Sequence, residues 1–266
     1  MRHLPPTLLL LLLSALLFPR LDTATLWVDE GWTARFTEGA SPADVVRAVR
    51  GDLHPPFYFL GVWGARQVLG DSELGLRVWG AVGYLVAGAA LYAWGRRLGD
   101  AKTGASALLM FVLADKGVDF ALEARHYTWL MAWVALANLT LIRHLYKPSL
   151  GTALIYGLCV LGGLYTHNIF VFLLALQSAY ALWARRGIRS LLIVGGGVVL
   201  LYLPWFVVGI LTQLDLFSGL NHALPANLTL FRLLAPDYLG RPVLLFVGLA
   251  LWGAWILRGQ KGVGLA

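Results

Sequence analysis

Two adjacent carboxylates, Asp29 and Glu30, follow the first apolar stretch, and His54-Pro55-Pro56 comes later in the same polar segment. A carboxylate within hydrogen-bond reach of a hydroxyl or amine can take its proton as that group attacks. An arginine at the same depth can hold a phosphate through paired, charge-assisted hydrogen bonds. Histidines can donate to phosphate oxygens or tune the local charge. A base facing a clamped phosphate leaving group is the layout for an inverting displacement from a lipid phosphate. Fixed cationic donors there stabilise the charge developing on the leaving group. The acidic pair also suits a plainer part, the N-terminus of a following helix.

The elements that must position these groups are apolar. Of 266 residues, 59% are hydrophobic and 13% charged, with a mean hydropathy of +0.71. A soluble domain carries about 25% charged residues. This composition predicts an all-α, polytopic membrane bundle forming one integral domain over residues 1–266. The net charge of +7 reads as basic cytoplasmic loops, and no nucleic-acid partner is expected. The single cysteine, Cys159, has no partner for an intrachain disulfide.

Apolar periodicity and length place about eight spans near 4–19, 74–95, 103–114, 127–142, 150–165, 169–184, 190–210 and 241–257. Segment 55–69 is short for a span of about 20 residues and carries Arg66 and Gln67. Reading it as a juxtamembrane helix started by Pro55-Pro56 puts Arg96/Arg97/Lys102, Arg143/Lys147, Arg185/Arg186/Arg189 and Arg258/Lys261 all inside, as the positive-inside rule asks. Residues 20–73 then form an outer loop. Of the acidic residues, only Asp100 falls inside. The polar machinery is therefore expected on the outer face of a multi-pass protein of the cell (plasma or inner) membrane.

Four clusters converge on that face: Trp27-Val28-Asp29-Glu30-Gly31-Trp32, His54-Pro55-Pro56-Phe57-Tyr58, Glu123-Ala124-Arg125-His126-Tyr127 and Tyr165-Thr166-His167-Asn168. Their order, with Gly70-x-x-Glu73-Leu74-x-x-Arg77 between the second and third, resembles the GT-C membrane glycosyltransferases. The branch is that of the dolichyl-phosphate-mannose protein mannosyltransferases and the bacterial aminoarabinose transferase of lipid A. The resemblance covers roughly residues 20–170.

It implies a polyprenyl-phosphate sugar donor and transfer on the extracytoplasmic side to a glycan, lipid or protein acceptor. It assigns Asp29 as catalytic base with Glu30 in support. It also assigns His54, Arg77, Arg125, Tyr127 and His167 to the donor head group and its phosphate. Members of that family are longer, with eleven or more spans, so the expectation is a short or truncated member. No metal ligand set is assigned, though the Asp29–Glu30 pair leaves a divalent cation possible. The alternatives are a non-catalytic partner that binds a lipid-linked sugar, or a transporter. Near-absence of charge inside the spans speaks against the transporter.

Overall fold

In the computed structural model, which describes residues 6–52 and 54–220, the polar segment after the first helix is itself largely helical. Helix α1 (Pro6–Leu17) runs on into a 3-10 turn, Phe18–Arg20. Helix α2 (Val28–Phe36) starts where Glu30 reaches back to the Trp27 N–H at 3.3 Å. Asp29 and Glu30 thus occupy its first turn, where acids suit the helix dipole. Helix α3 (Pro42–Ala48) opens on a reciprocal cap. Ser41 Oγ accepts the Asp44 N–H, Asp44 accepts the Ser41 N–H, and Pro42 sits at the first position.

Helix α4 (Phe57–Leu69) begins directly after Pro56 and ends at Gly70, whose φ of +78° a side chain would strain. A helix therefore occupies the segment marked by Pro55-Pro56. Arg66 ties it to α2, donating to the Ala34 carbonyl and the Thr37 hydroxyl, each at 2.8 Å. Trp63 Nε1 donates to the Gly39 carbonyl at 2.8 Å.

The remaining helices are α5 (Glu73–Leu98), α6 (Ala101–Val112), α7 (Asp115–Ala121), α8 (Tyr127–Tyr146), α9 (Leu150–Thr166), α10 (Phe170–Ala184) and α11 (Ile188–Leu220). Among the described residues there is no strand. Seven of the apolar segments expected from sequence fall on α1, α5, α6, α8, α9, α10 and α11. The eighth, 241–257, lies outside the described residues. Two helical stretches, Glu73–Leu98 and Ile188–Gly209, are long and apolar enough to cross a membrane. Four more apolar helical stretches are shorter: Pro6–Arg20, Ala101–Val112, Leu150–Thr166 and Phe170–Ala184. Leu158, Phe172, Trp183 and Leu200 project from α9, α10 and α11 as exposed apolar side chains. Apolar surface on that scale suits lipid better than water.

Helix α5 is the central post, packed against α4, α6 and α8. Glycines let α5 and the α8 entry approach closely. A Cβ on Gly80 would stand 2.9 Å from the Glu123 carbonyl oxygen, and one on Gly83 would stand 2.7 Å from the Trp129 ring. The Thr128 hydroxyl donates to the Gly80 carbonyl at 2.7 Å. Trp129 Nε1 donates to the Trp79 carbonyl at 2.8 Å, and the two indoles stack with centroids 4.4 Å apart. At the other end of α5, Arg96, Arg97, Arg143 and Lys147 line one cavity of about 470 Å³. Basic groups gather there, away from the acidic loop.

Candidate active site

Glu30 and Arg77 form the foundation of the loop end, and both are almost wholly buried, at 1% and 2% exposure. Arg77 Nε donates to Glu30 Oε1 at 2.7 Å, and its NH2 donates to Oε2 at 2.8 Å. Glu30 Oε1 also accepts the Ala124 N–H at 2.7 Å, and Oε2 accepts the Trp27 N–H at 3.3 Å. All four carboxylate lone pairs are thus engaged. The rest of the Arg77 fork donates to the carbonyls of Leu21 (2.9 Å), Ala24 (2.8 Å) and Thr25 (3.3 Å). Its five N–H donors are all committed to the chain.

Arg77 clamps the approach to α2 and has no donor to spare for a phosphate. Glu30 likewise has no free lone pair for proton transfer or for a cation. It supports its neighbour by position.

That neighbour, Asp29, turns outward, its side chain 39% exposed. Arg125 comes to meet it. Arg125 NH2 lies 3.6 Å from Asp29 Oδ2, and NH1 donates to the Asp29 carbonyl at 3.4 Å. Both contacts are long for charge-assisted bonds. Arg125 Nε is buried and has no hydrogen-bond partner. The guanidinium also sits over the Tyr127 ring, 5.9 Å from its centroid. Arg125 is placed by the residue before it. The Ala124 N–H is held by Glu30, and the Ala124 carbonyl accepts the Thr33 hydroxyl at 2.9 Å. Both backbone polar groups of Ala124 are thus pinned to α2.

Three imidazoles complete the cluster. His54 precedes Pro55-Pro56, His126 directly precedes α8 and His167 ends α9. Ring centroids are 4.2 Å apart for His54 and His126, 4.7 Å for His126 and His167, and 5.1 Å for His54 and His167. Asp52 Oδ2 lies 3.1 Å from His54 Nδ1. The Ile169 N–H donates to His167 Nδ1 at 3.1 Å. Burial, reinforced by His54, His167 and Arg125, holds His126 well below its ordinary value. Burial likewise pushes His167 down to about 4, with help from His54 and Arg125. Both are neutral at pH 7.

The structure therefore gathers Asp29, Arg125 and Tyr127 with His126, and His126 with His54 and His167. It sets Glu30 and Arg77 beneath them. His126 and Asp52 were given no role from the sequence. The available signal for His126 was that all three histidines stand in clusters assigned to one face. Asp52 carried no signal beyond being two residues from His54.

Beside the cluster lies an apolar groove of about 660 Å³, walled by Phe57, Leu60, Trp133, Leu161 and Trp205 with Arg50 at its margin. Pro56 and Tyr165, each two residues from a clustered histidine, also line it. That volume is typical of a ligand cavity.

A family model described as dolichyl-phosphate-mannose-protein mannosyltransferase matches residues 53–210. The matched stretch contains His54, Arg77, Arg125, His126, Tyr127 and His167, and Asp29 and Glu30 lie before it. No curated protein and no solved structure gives a significant match. The match spans more than half of the chain, which belongs to the dolichyl-phosphate-mannose-protein mannosyltransferase family of GT-C-type membrane glycosyltransferases.

Proposed function

We propose that the chain transfers a sugar from a polyprenyl-phosphate donor to a glycan, lipid or protein acceptor, with inversion at the sugar carbon. Transfer takes place at the extracytoplasmic face of the cell membrane, crossed by about eight spans, with α4 lying along that face. Asp29 accepts the proton of the acceptor hydroxyl or amine. The freed electron pair bonds to the anomeric carbon, and the bond from that carbon to the phosphate oxygen breaks. The leaving phosphate keeps the pair and is met by Arg125, with Tyr127 beside it and His54 and His167 close by.

The observation that carries this reading is the state of Arg125. It is a nearly buried cation with an unpartnered Nε and only long contacts to Asp29. A phosphate oxygen would satisfy it, and its arrival would leave Asp29 facing the acceptor. The adjoining apolar groove offers the isoprenoid a dry place to lie.

The test is Asp29→Asn in protein that expresses and folds normally, assayed with a polyprenyl-phosphate sugar. Transfer should fall by orders of magnitude, and transfer at the wild-type rate would remove Asp29 from the base role. Mass spectrometry of lipid that co-purifies with the chain would name the sugar from its head group.

A further inference from the structure

The three imidazoles have more order than packing requires. One nitrogen from each lies within 4.8 Å of the other two. An ionised carboxylate only accepts hydrogen bonds, so Asp52 keeps the His54 proton on Nδ1 and leaves a lone pair on Nε2. A carboxylate behind a histidine in this way is the usual support of a metal-ligating imidazole. His126 is 1% exposed, and its Nε2 is buried with no hydrogen-bond partner. A buried nitrogen left without a partner is costly, and here it belongs to the same cluster.

We propose that His54, His126 and His167 bind one divalent transition-metal ion of the zinc type. Three imidazole nitrogens suit zinc, cobalt, nickel or copper. Magnesium and calcium prefer oxygen ligands, and no carboxylate belongs to this trio. Zinc–nitrogen bonds of about 2.0–2.1 Å place tetrahedral ligand atoms roughly 3.4 Å apart. From a spacing within 4.8 Å, the rings would close inward by up to about 1.4 Å to reach it.

His167 adds a condition. Its Nδ1 accepts the Ile169 N–H, which leaves its proton on Nε2. To ligate through Nε2 it must release that amide and move the proton to Nδ1. Ile169 is exposed, so water can take up the freed amide. Three protein ligands leave a fourth place for water or an oxyanion. In the transfer reaction proposed above, His54 and His167 would then act on the donor phosphate through the ion. Metal binding itself does not depend on that reading.

The experiment uses untagged, detergent-purified full-length chain, stripped of metal and titrated with Co²⁺ alone, then with Zn²⁺. The expected result is one Co²⁺ per chain with visible absorption typical of a low-coordinate nitrogen site, lost on adding equimolar Zn²⁺. His126→Ala should weaken binding by at least 100-fold, and Asp52→Asn by about 10–100-fold. Should His126→Ala fold poorly, His54→Ala at the edge of the cluster serves in its place. Absence of stoichiometric binding to the wild type overturns the proposal, as does binding that survives His54→Ala or His167→Ala. Neither outcome bears on whether Asp29 is required for transfer.

Discussion

Glu30 Oε1 accepts the Ala124 N–H at 2.7 Å, across 94 residues of sequence. Through that bond a carboxylate in the first loop fixes the backbone immediately before Arg125. The same carboxylate takes the two-pronged grip of Arg77. One acidic side chain therefore joins α2, α5 and the entry to α8, and its outward neighbour Asp29 inherits its position from that junction.

Glu30→Gln should be strongly destabilising. The amide cannot carry the charge that the buried Arg77 needs, and breaking a buried pair from one side costs about 3–5 kcal/mol. Thermal unfolding in detergent would show a large fall in midpoint. A midpoint within a degree or two of wild type would mean the Arg77 carbonyl contacts suffice without the carboxylate.

Arg125→Gln should behave in the opposite way. Its contacts to Asp29 are long and its Nε is unpartnered, so little native bonding is lost and the unfolding midpoint should hardly move. If the guanidinium meets the leaving phosphate, turnover should drop about 10²–10³-fold, as for other single donors that face developing charge. Near-normal turnover would sink that assignment.

Gly80→Ala tests the approach of α5 to the segment holding Arg125. Alanine gains about 1 kcal/mol in helix propensity. Its Cβ, however, would stand 2.9 Å from the Glu123 carbonyl oxygen, a backbone atom that cannot swing aside. Overpacking of this kind costs about 1–3 kcal/mol. Net destabilisation is expected, together with loss of transfer. A stabilised, fully active variant would show that the Glu123 segment yields easily.

Glu123 gives a pH test. Desolvation, then Glu30 and Asp119, raise its pKa in the folded chain. The folded state thus holds this proton more tightly than the unfolded state. Its contribution is favourable below the unfolded value of about 4.3 and is lost as pH rises through the raised folded value. Glu123→Gln should therefore be more stable than wild type at pH 7, and the difference should vanish below about pH 4. Paired unfolding curves at the two pH values would settle the sign.

The helices were largely legible in the sequence because apolar runs of the right length leave few other choices. Pro55-Pro56 and Gly70 bracket α4 by local backbone chemistry alone. That Glu30 is buried while Asp29 turns outward was not legible from the residues themselves, although the resemblance already set Asp29 ahead of Glu30. Adjacent carboxylates look alike until the partners 47 and 94 residues away bury one and leave the other half exposed. The surroundings of Arg77 were hidden for the same reason. The resemblance sets it at the donor phosphate, while in the fold its donors go to Glu30 and to the carbonyls of residues 21, 24 and 25, which no spacing rule brings to it. Asp52 behind His54 and the unpartnered nitrogen of His126 are likewise products of folding.

The Arg77 clamp also has a consequence in time. When α2 leaves the ribosome, Glu30 is an unmatched charge, and its partner follows 47 residues later. At about 5–20 residues per second that is a wait of roughly 2–9 s. Ala124 arrives later still. The loop bearing Asp29 is made among the first parts of the chain but gains its last anchor only when Ala124 has been added, so a nascent chain stalled before that residue would carry the acid without its full scaffold.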